Sequence, residues 1–213
     1  QYEAAVLNYF DGVTIISEAD RNLISHPERK DIRVIPNGVD AAFFGSPNAP
    51  LALPAHVTAE TTVLLFTGNM AYPPNVRAAI RLATDILPQL QRLNVHLLIA
   101  GASPVAQVRA LASERVTVTG WLEDIRSAYR AGDLFVAPLD IGTGLQNKIL
   151  EAMASGLPCI TTPNVAAGLP KDGNGQAAPV RVADDDAAWV AAIAEACAGG
   201  GDVAGLARAG EKY

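Results

Sequence analysis

Hydrophobic residues in this chain gather into short unbroken runs, separated by longer stretches in which they recur every three or four positions. The runs are VTII (13–16), IRVI (32–35), TVLLFT (62–67), VHLLIA (95–100), VTVT (116–119), LFVAP (134–138), PCITT (158–162) and PVRV (179–182). Continuous β-branched runs of this length are how strands covered on both faces look. The stretches between them carry a helical period. In PPNVRAAIRLATDILPQLQRL (73–93), Val76, Ile80, Ala83, Leu87 and Leu90 fall on one face. Pro73 and Pro74 suit a first turn, where a missing N–H costs little, and Pro88 predicts a bend or a stop. PVAQVRALAS (104–113), EDIRSAYRAG (123–132), NKILEAMASG (147–156) and DDAAWVAAIAEACAGG (185–200) follow, and three of these close on glycine, a common helix terminator.

Strand and helix alternating in this way predict an α/β fold, a doubly wound parallel sheet with right-handed crossovers. Ligands of such sheets bind beyond the carboxyl ends of the strands. The loops that matter are therefore GNMAYPPN (68–75), GASP (101–104), GWLED (120–124), LDIGTGLQN (139–147) and TPNVAAGLPKDGNG (162–175). Residues 1–45 differ. They hold two strand candidates and then PNGVD and AAFFGS, and they read as a hinge or crossing segment. Residues 45–60, rich in Pro and Ala, read as an irregular connection, so the sheet domain is expected over 46–213.

Composition narrows the function classes. The chain has 213 residues, half of them hydrophobic, and a net charge of −6. An acidic balance without a basic stripe argues against a nucleic-acid partner. No apolar run approaches the roughly 20 residues that span a bilayer, and no secretory signal pattern opens the chain. The first residue is Gln1, so the sequence reads as part of something longer. Cys159 and Cys197 lie far apart in apolar surroundings, without a CxxC or a Cys/His cluster. They suggest ordinary buried thiols and a reducing, cytoplasmic setting rather than zinc or a disulfide.

The loops carry the candidate chemistry. Residues 142–147 place Gly142, Thr143, Gly144, Leu145 and Gln146 directly before a helix. A glycine-rich loop there offers free N–H groups and the positive end of the helix dipole, which suits phosphate. Lys148 adds a cation, and Glu151 shares its face at i,i+3, where a carboxylate can accept hydrogen bonds from ribose hydroxyls. The plain alternative is a turn followed by a surface ion pair. The absence of Gly-Lys-Ser/Thr excludes a Walker loop. Gly68 follows the first strong strand, where a ligand can approach the backbone or the chain can simply turn. Gly101 and Gly120 repeat the strand-then-glycine pattern, but no GxGxxG occurs, so a nicotinamide dinucleotide is poorly supported. Trp121 offers a stacking surface for a base or a part-buried core side chain. His26, His56 and His96 are scattered and read as structural or solvated. Asp184, Asp185 and Asp186 read as a helix opening rather than a metal site. Asp140 sits at a strand's carboxyl end without an evident partner.

VTIISEADRNLI, IRVIPNGVDAAFF, LLFTGNM, HLLIAGASP, VTVTGWLEDIRSAYRAGDLFVAPL and GTGLQNKILEAMASGLPCITT, in this order over about residues 9–182, resemble the donor-binding domain of group 1 (family four) glycosyltransferases, which are retaining enzymes of the GT-B class. PNGVD together with KILEAMASGLP is the specific pair, and GNMAYPPN is similar to the subgroup linked to exopolysaccharide clusters. The resemblance implies a Rossmann-like C-terminal half, with residues 1–45 as the end of an N-terminal acceptor domain and its crossing. It implies a nucleotide-diphosphate sugar as donor substrate, no further cofactor and no metal. The donor would meet Gly68, Asn69, Trp121, Leu122, Gly142, Gly144, Leu145, Gln146, Lys148 and Glu151. The glycine-loop N–H groups would hold the diphosphate, Glu151 the ribose and the backbone near Leu122 the base. Lys148 and Thr143 stand at the catalytic positions.

The sequence also departs from the family pattern. Asn69 replaces the usual Arg, Pro74 the usual Lys, and Thr143 the first glutamate of the spaced pair, so Lys148 is left as the compensating cation. The expected reaction is transfer of a sugar, with retention, to a glycan or lipid-linked acceptor bound by an N-terminal domain that this chain lacks, with the fragment inactive alone. A cytoplasmic location, with room for peripheral association of the full-length protein at the inner face of a membrane, goes with this reading. The alternatives are a nucleotide-sugar 2-epimerase, which the loss at Thr143 disfavours, and a non-catalytic nucleotide-sugar-binding module.

Overall fold

The computed structural model describes residues 9–140, 146–171, 175–199 and 203–211. In chain order the elements are β1 (Thr14–Ile15), α1 (Glu18–Leu23), a 3-10 turn (Pro27–Asp31), β2 (Arg33–Val34), α2 (Ala41–Gly45), β3 (Thr62–Thr67), α3 (starting as Pro73–Arg81), β4 (Val95–Ala100), α4 (Ala106–Arg109), β5 (Val116–Val118), α5 (Arg126–Ala131), β6 (Leu134–Ala137), α6 (Asn147–Ala154), β7 (Cys159–Thr161), α7 (Pro163–Gly168), β8 (Arg181–Val182), α8 (Asp186–Cys197) and α9 (Val203–Glu211).

Six strands form one parallel sheet in the order β5-β4-β3-β6-β7-β8, while β1 and β2 pair with each other in a separate parallel ribbon. The chain builds outward from β3 to β5, then returns to lay β6 against the free side of β3. The strand order reverses between β3 and β6, the place where sheets of this kind hold a ligand at the carboxyl ends. The central strands are buried along their length: Leu64, Leu65 and Phe66 on β3, every residue of β4, and every residue of β6. That is why their sequences lack the alternation of a half-exposed strand.

The 73–93 stretch forms one helical rod with a change of pitch. Regular α3 gives way to a wide π turn over Leu82–Ile86 and a tight 3-10 turn over Leu87–Leu90. Pro88 causes this, because it lacks an N–H and its ring crowds the carbonyl four residues back. Leu82, Ile86 and Leu90 remain buried through the change. Trp189 and Ile193 of α8 are buried too, and α8 packs on this second half of the rod. The expected helix at 104–113 contracts to the four residues of α4, because Ser113 and Val116 pair across the turn into β5.

Three polar features settle residues whose role the sequence left open. Arg81 bonds Asp186 at 2.8 Å and Asp140 at 3.2 Å, so Asp140 has a partner and α3 is tied to the start of α8. The Asp185 side chain caps α8 by accepting from the Ala188 N–H. His96 is buried on β4 with its Nε2 2.8 Å from Thr117 Oγ1, and its ring lies 5.8 Å from that of His56.

Within 1–45, the end of the segment is fastened to the sheet domain. Arg126 lies 4.0 Å over the Phe43 ring and donates to Ser46 Oγ. Arg130 donates to the carbonyls of Phe44, Ser46 and Ser155. Residues 46–61 contain no helix or strand.

Candidate functional site

A cavity of about 390 Å³ opens at the carboxyl ends of β3 and β4, lined by Thr67, Gly68, Asn69, Gly101, Ala102, Ile125, Asn147, Lys148 and Glu151. Two glycines shape its floor. Gly101 has φ +138°, and a Cβ there would stand 2.0 Å from the Gly68 carbonyl oxygen. The two backbones pass so closely that no side chain fits between them. At Gly68 a Cβ would lie 2.6 Å from Asn75 Nδ2 and 3.1 Å from Lys148 Nζ. The empty space beside Gly68 is thus taken up by protein side chains.

The chemistry comes from α6. Residues 147–154 bury Ile149, Leu150, Ala152 and Met153, which fixes the opposite face toward the cavity. Lys148 and Glu151 lie on that face, one turn apart. Lys148 Nζ donates to Asn75 Oδ1 at 2.6 Å and sits 4.9 Å over the Phe66 ring. Burial lowers its pKa to about 8, opposed by the nearby Glu151 carboxylate. Glu151 Oε2 accepts from the Tyr129 hydroxyl at 2.8 Å. That hydroxyl also lies 3.0 Å from Thr67 Oγ1. Burial first, and the Glu151 carboxylate second, push the Tyr129 phenol well above its ordinary value, so it stays a donor. Asn75, only 6% exposed, donates from Nδ2 to the Asn69 carbonyl at 3.0 Å. Among the described residues no ion pair joins Lys148 to Glu151, so the simple surface pair is not what forms.

The sequence-derived candidates fall into three groups. Gly68, Asn69, Lys148 and Glu151 meet at the cavity. Gln146 precedes α6 and its carbonyl accepts from the Ile149 N–H. Trp121 is 72% exposed and Leu122 packs part-buried against the core, and neither lines the cavity. Their loop nevertheless starts beside it, since the Gly101 N–H donates to the Gly120 carbonyl. Gly142, Thr143, Gly144 and Leu145 lie outside the described residues. The PNGVD stretch also reaches the site: Asp40 caps α2, and Asn37 Nδ2 donates to Asn147 Oδ1 at 3.2 Å. Asn75, Tyr129 and Thr67 were not singled out from the sequence. Asn75 closes the GNMAYPPN loop but carries no charge to mark it, Tyr129 looks like an ordinary helix residue, and only the fold carries both to α6. Among the described residues no cluster of His, Cys, Asp or Glu is arranged to hold a metal ion. No described helix is long and apolar enough to cross a membrane.

Comparison with known proteins agrees with this architecture. The family described as "Glycosyl transferases group 1" matches residues 61–198, more than half of the chain. EpsF of Bacillus subtilis (strain 168), named as a candidate glycosyltransferase, is 28% identical over 191 residues, covering 83% of this chain and 47% of its own. Among solved structures, HepE of Anabaena in complex with UDP and glucose superposes with a TM-score of 0.74 at 18% identity, over 98% of this chain and 60% of that one. A glycosyltransferase from Rickettsia africae gives 0.72 at 16% identity, over 99% of this chain and 60% of that one. The chain therefore spans about half to three fifths of the length of these relatives, and its six-stranded parallel sheet matches one half of the GT-B architecture. On the match over residues 61–198, the chain belongs to the group 1 glycosyl transferase family.

Proposed function

We propose that this chain is the donor-binding part of a retaining glycosyltransferase, which moves a sugar from a nucleotide diphosphate to a glycan or lipid-linked acceptor. The observation that carries the reading is the meeting of Lys148 and Glu151 in one cavity at the point where the strand order reverses. A cation and a carboxylate one helical turn apart suit a diphosphate and the ribose beside it. HepE, which shares the fold, has been solved with UDP and with UDP-glucose. In this reading Lys148 stabilises negative charge on the departing diphosphate, the electrostatic term that supplies most of the acceleration in such reactions. The N–H groups at the start of α6 hold the phosphates, and residues 1–45 lead in from an acceptor-binding domain. Asn69 presents an amide at the cavity where the family carries a cation. That favours, as a second reading, a module that holds the donor without turning it over.

The test is calorimetry of this chain with UDP, GDP and ADP, repeated on Glu151→Gln. One of the three is expected to bind the native chain. Glu151→Gln is expected to weaken that binding more than tenfold, in line with about 1.5–3 kcal/mol for a hydrogen bond to a charged group. Unchanged affinity would make Glu151 a helix-face residue and remove it from the ribose site. Tight binding with no turnover in the two-domain protein would favour the second reading.

A further inference from the structure

We propose that Asn75 and Tyr129 are positioning residues that keep Lys148 and Glu151 from pairing with each other, so that both charges stay available to the donor. The inference rests on the donor-site reading above and adds to it how the site is held ready.

Lys148 and Glu151 share one face of α6 at a spacing where opposite charges ordinarily meet. In a partly buried cavity that attraction is stronger than in water. A direct pair would cancel the cation's field toward an anionic ligand and occupy the carboxylate oxygens that ribose needs. Each group instead has a neutral partner from another element. The Asn75 amide oxygen takes the ammonium at 2.6 Å, and the Tyr129 hydroxyl takes the carboxylate at 2.8 Å.

Both neutral partners are themselves fixed. Asn75 Nδ2 donates to the Asn69 carbonyl, which sets the orientation of the amide and leaves its oxygen toward Lys148. Tyr129 is 1% exposed, its hydroxyl is anchored at Thr67, and its ring stacks on Phe135 at 6.0 Å between centroids. Gly68 has no side chain, and a Cβ there would collide with the Asn75 amide.

Neutrality is the point of the arrangement. A carboxylate at position 75 would hold the lysine at least as firmly but would remove its net charge. An amide holds it and leaves the positive field intact. A phenol kept protonated likewise engages the Glu151 carboxylate without giving up charge.

The experiment measures binding of inorganic pyrophosphate, UDP and uridine to this chain and to Asn75→Asp, Asn75→Ala and Tyr129→Phe, with thermal melting to show that each variant folds. Asn75→Asp keeps the size of the side chain and its contact with Lys148. It is expected to lose pyrophosphate affinity by about tenfold or more, with the loss shrinking at high salt, while uridine binding stays within about twofold. Asn75→Ala is expected to lose less pyrophosphate affinity than Asn75→Asp. Tyr129→Phe releases Glu151 toward Lys148 and is expected to weaken pyrophosphate and uridine together. In that background Glu151→Gln is expected to restore pyrophosphate binding, because the competing charge is gone. Equal pyrophosphate affinity in native, Asn75→Asp and Asn75→Ala proteins would overturn the proposal while leaving the donor-site reading intact. Failure of the native chain to bind pyrophosphate and each of UDP, GDP and ADP would overturn the donor-site reading and this proposal with it.

Discussion

Lys148 is the residue on which the proposed site depends most, because it is the one cation among the described residues lining the cavity. Its pKa near 8 gives a pH prediction. The ammonium, not the amine, attracts a diphosphate. The group is mostly charged at pH 7 and mostly neutral above about pH 9, so affinity for UDP is expected to fall as pH rises through that interval. Uridine, which carries no phosphate, is expected to show no such fall. Lys148→Ala is expected to abolish the difference between the two ligands' pH profiles and to cost UDP far more than uridine, less so in high salt. Isothermal titration at several pH values checks both statements, with GDP and guanosine or ADP and adenosine in place of UDP and uridine should one of those diphosphates be the one that binds. The sequence was enough to single out Lys148 and Glu151, because i,i+3 spacing is a local property. It was not enough to find their partners. Asn75 lies 73 residues before Lys148, and Tyr129 lies 22 before Glu151. Both sit in stretches whose periodicity explains them as helix residues. Trp121 shows the converse, an aromatic that draws attention in a loop and is exposed away from the cavity lining.

The elements that carry the site are the carboxyl ends of β3 and β4, which are locked to each other at Gly68 and Gly101. The Gly68 N–H donates to the Ala100 carbonyl and the Met70 N–H to the Ala102 carbonyl, so the ladder of the sheet continues into the loops. Adding even a methyl group at Gly101 forces the strand ends apart, and its φ of +138° is one that L side chains rarely adopt. Gly101→Ala is therefore expected to destabilise the fold by about 3 kcal/mol or more, from overpacking and backbone strain together. Urea denaturation followed by circular dichroism measures this, and a variant with native stability but altered ligand affinity would refute the steric reading. Strands of this sheet were legible because unbroken β-branched runs have few other uses, and β3 and β4 begin and end where the pattern puts them. Helices were legible where the period persisted for two turns or more. α1, α2 and α7 were not, since five or six residues cannot establish a 3.6-residue repeat. The capping side chains of Ser17 and Asp40, and Pro163 at the first position of α7, are the local marks they leave. The π turn in the α3 rod follows from Pro88, but its width depends on how Leu82 and Ile86 pack, which is a tertiary matter.

At the scale of the whole molecule, the cavity has described walls from the β3 and β4 loops, from Ile125 just before α5, and from α6. The hydrophobic core beneath it runs continuously from Val63 on β3 to Ile193 on α8, so one core supports all of these walls. This chain is accordingly expected to fold and to bind one of UDP, GDP and ADP by itself. The affinity is expected to be modest, because among the described residues none closes the open side against water. Transfer is a different demand. It requires an acceptor hydroxyl held against the sugar, and holding two reactants together supplies a large part of the rate. In the proposed reading Lys148 and Glu151 both face the donor, and among the described residues lining the cavity no other is charged. The relatives that this chain matches are longer, the chain covering 60% of HepE and 47% of EpsF. An assay offering the sugar conjugate of whichever nucleoside diphosphate binds, with a pool of glycan and lipid-linked acceptors, is therefore expected to show donor binding without sugar transfer by this chain, beside robust transfer by a two-domain group 1 enzyme run as a control. Efficient transfer by this chain alone would place the acceptor site within its 213 residues and overturn the assignment of that role to a separate domain.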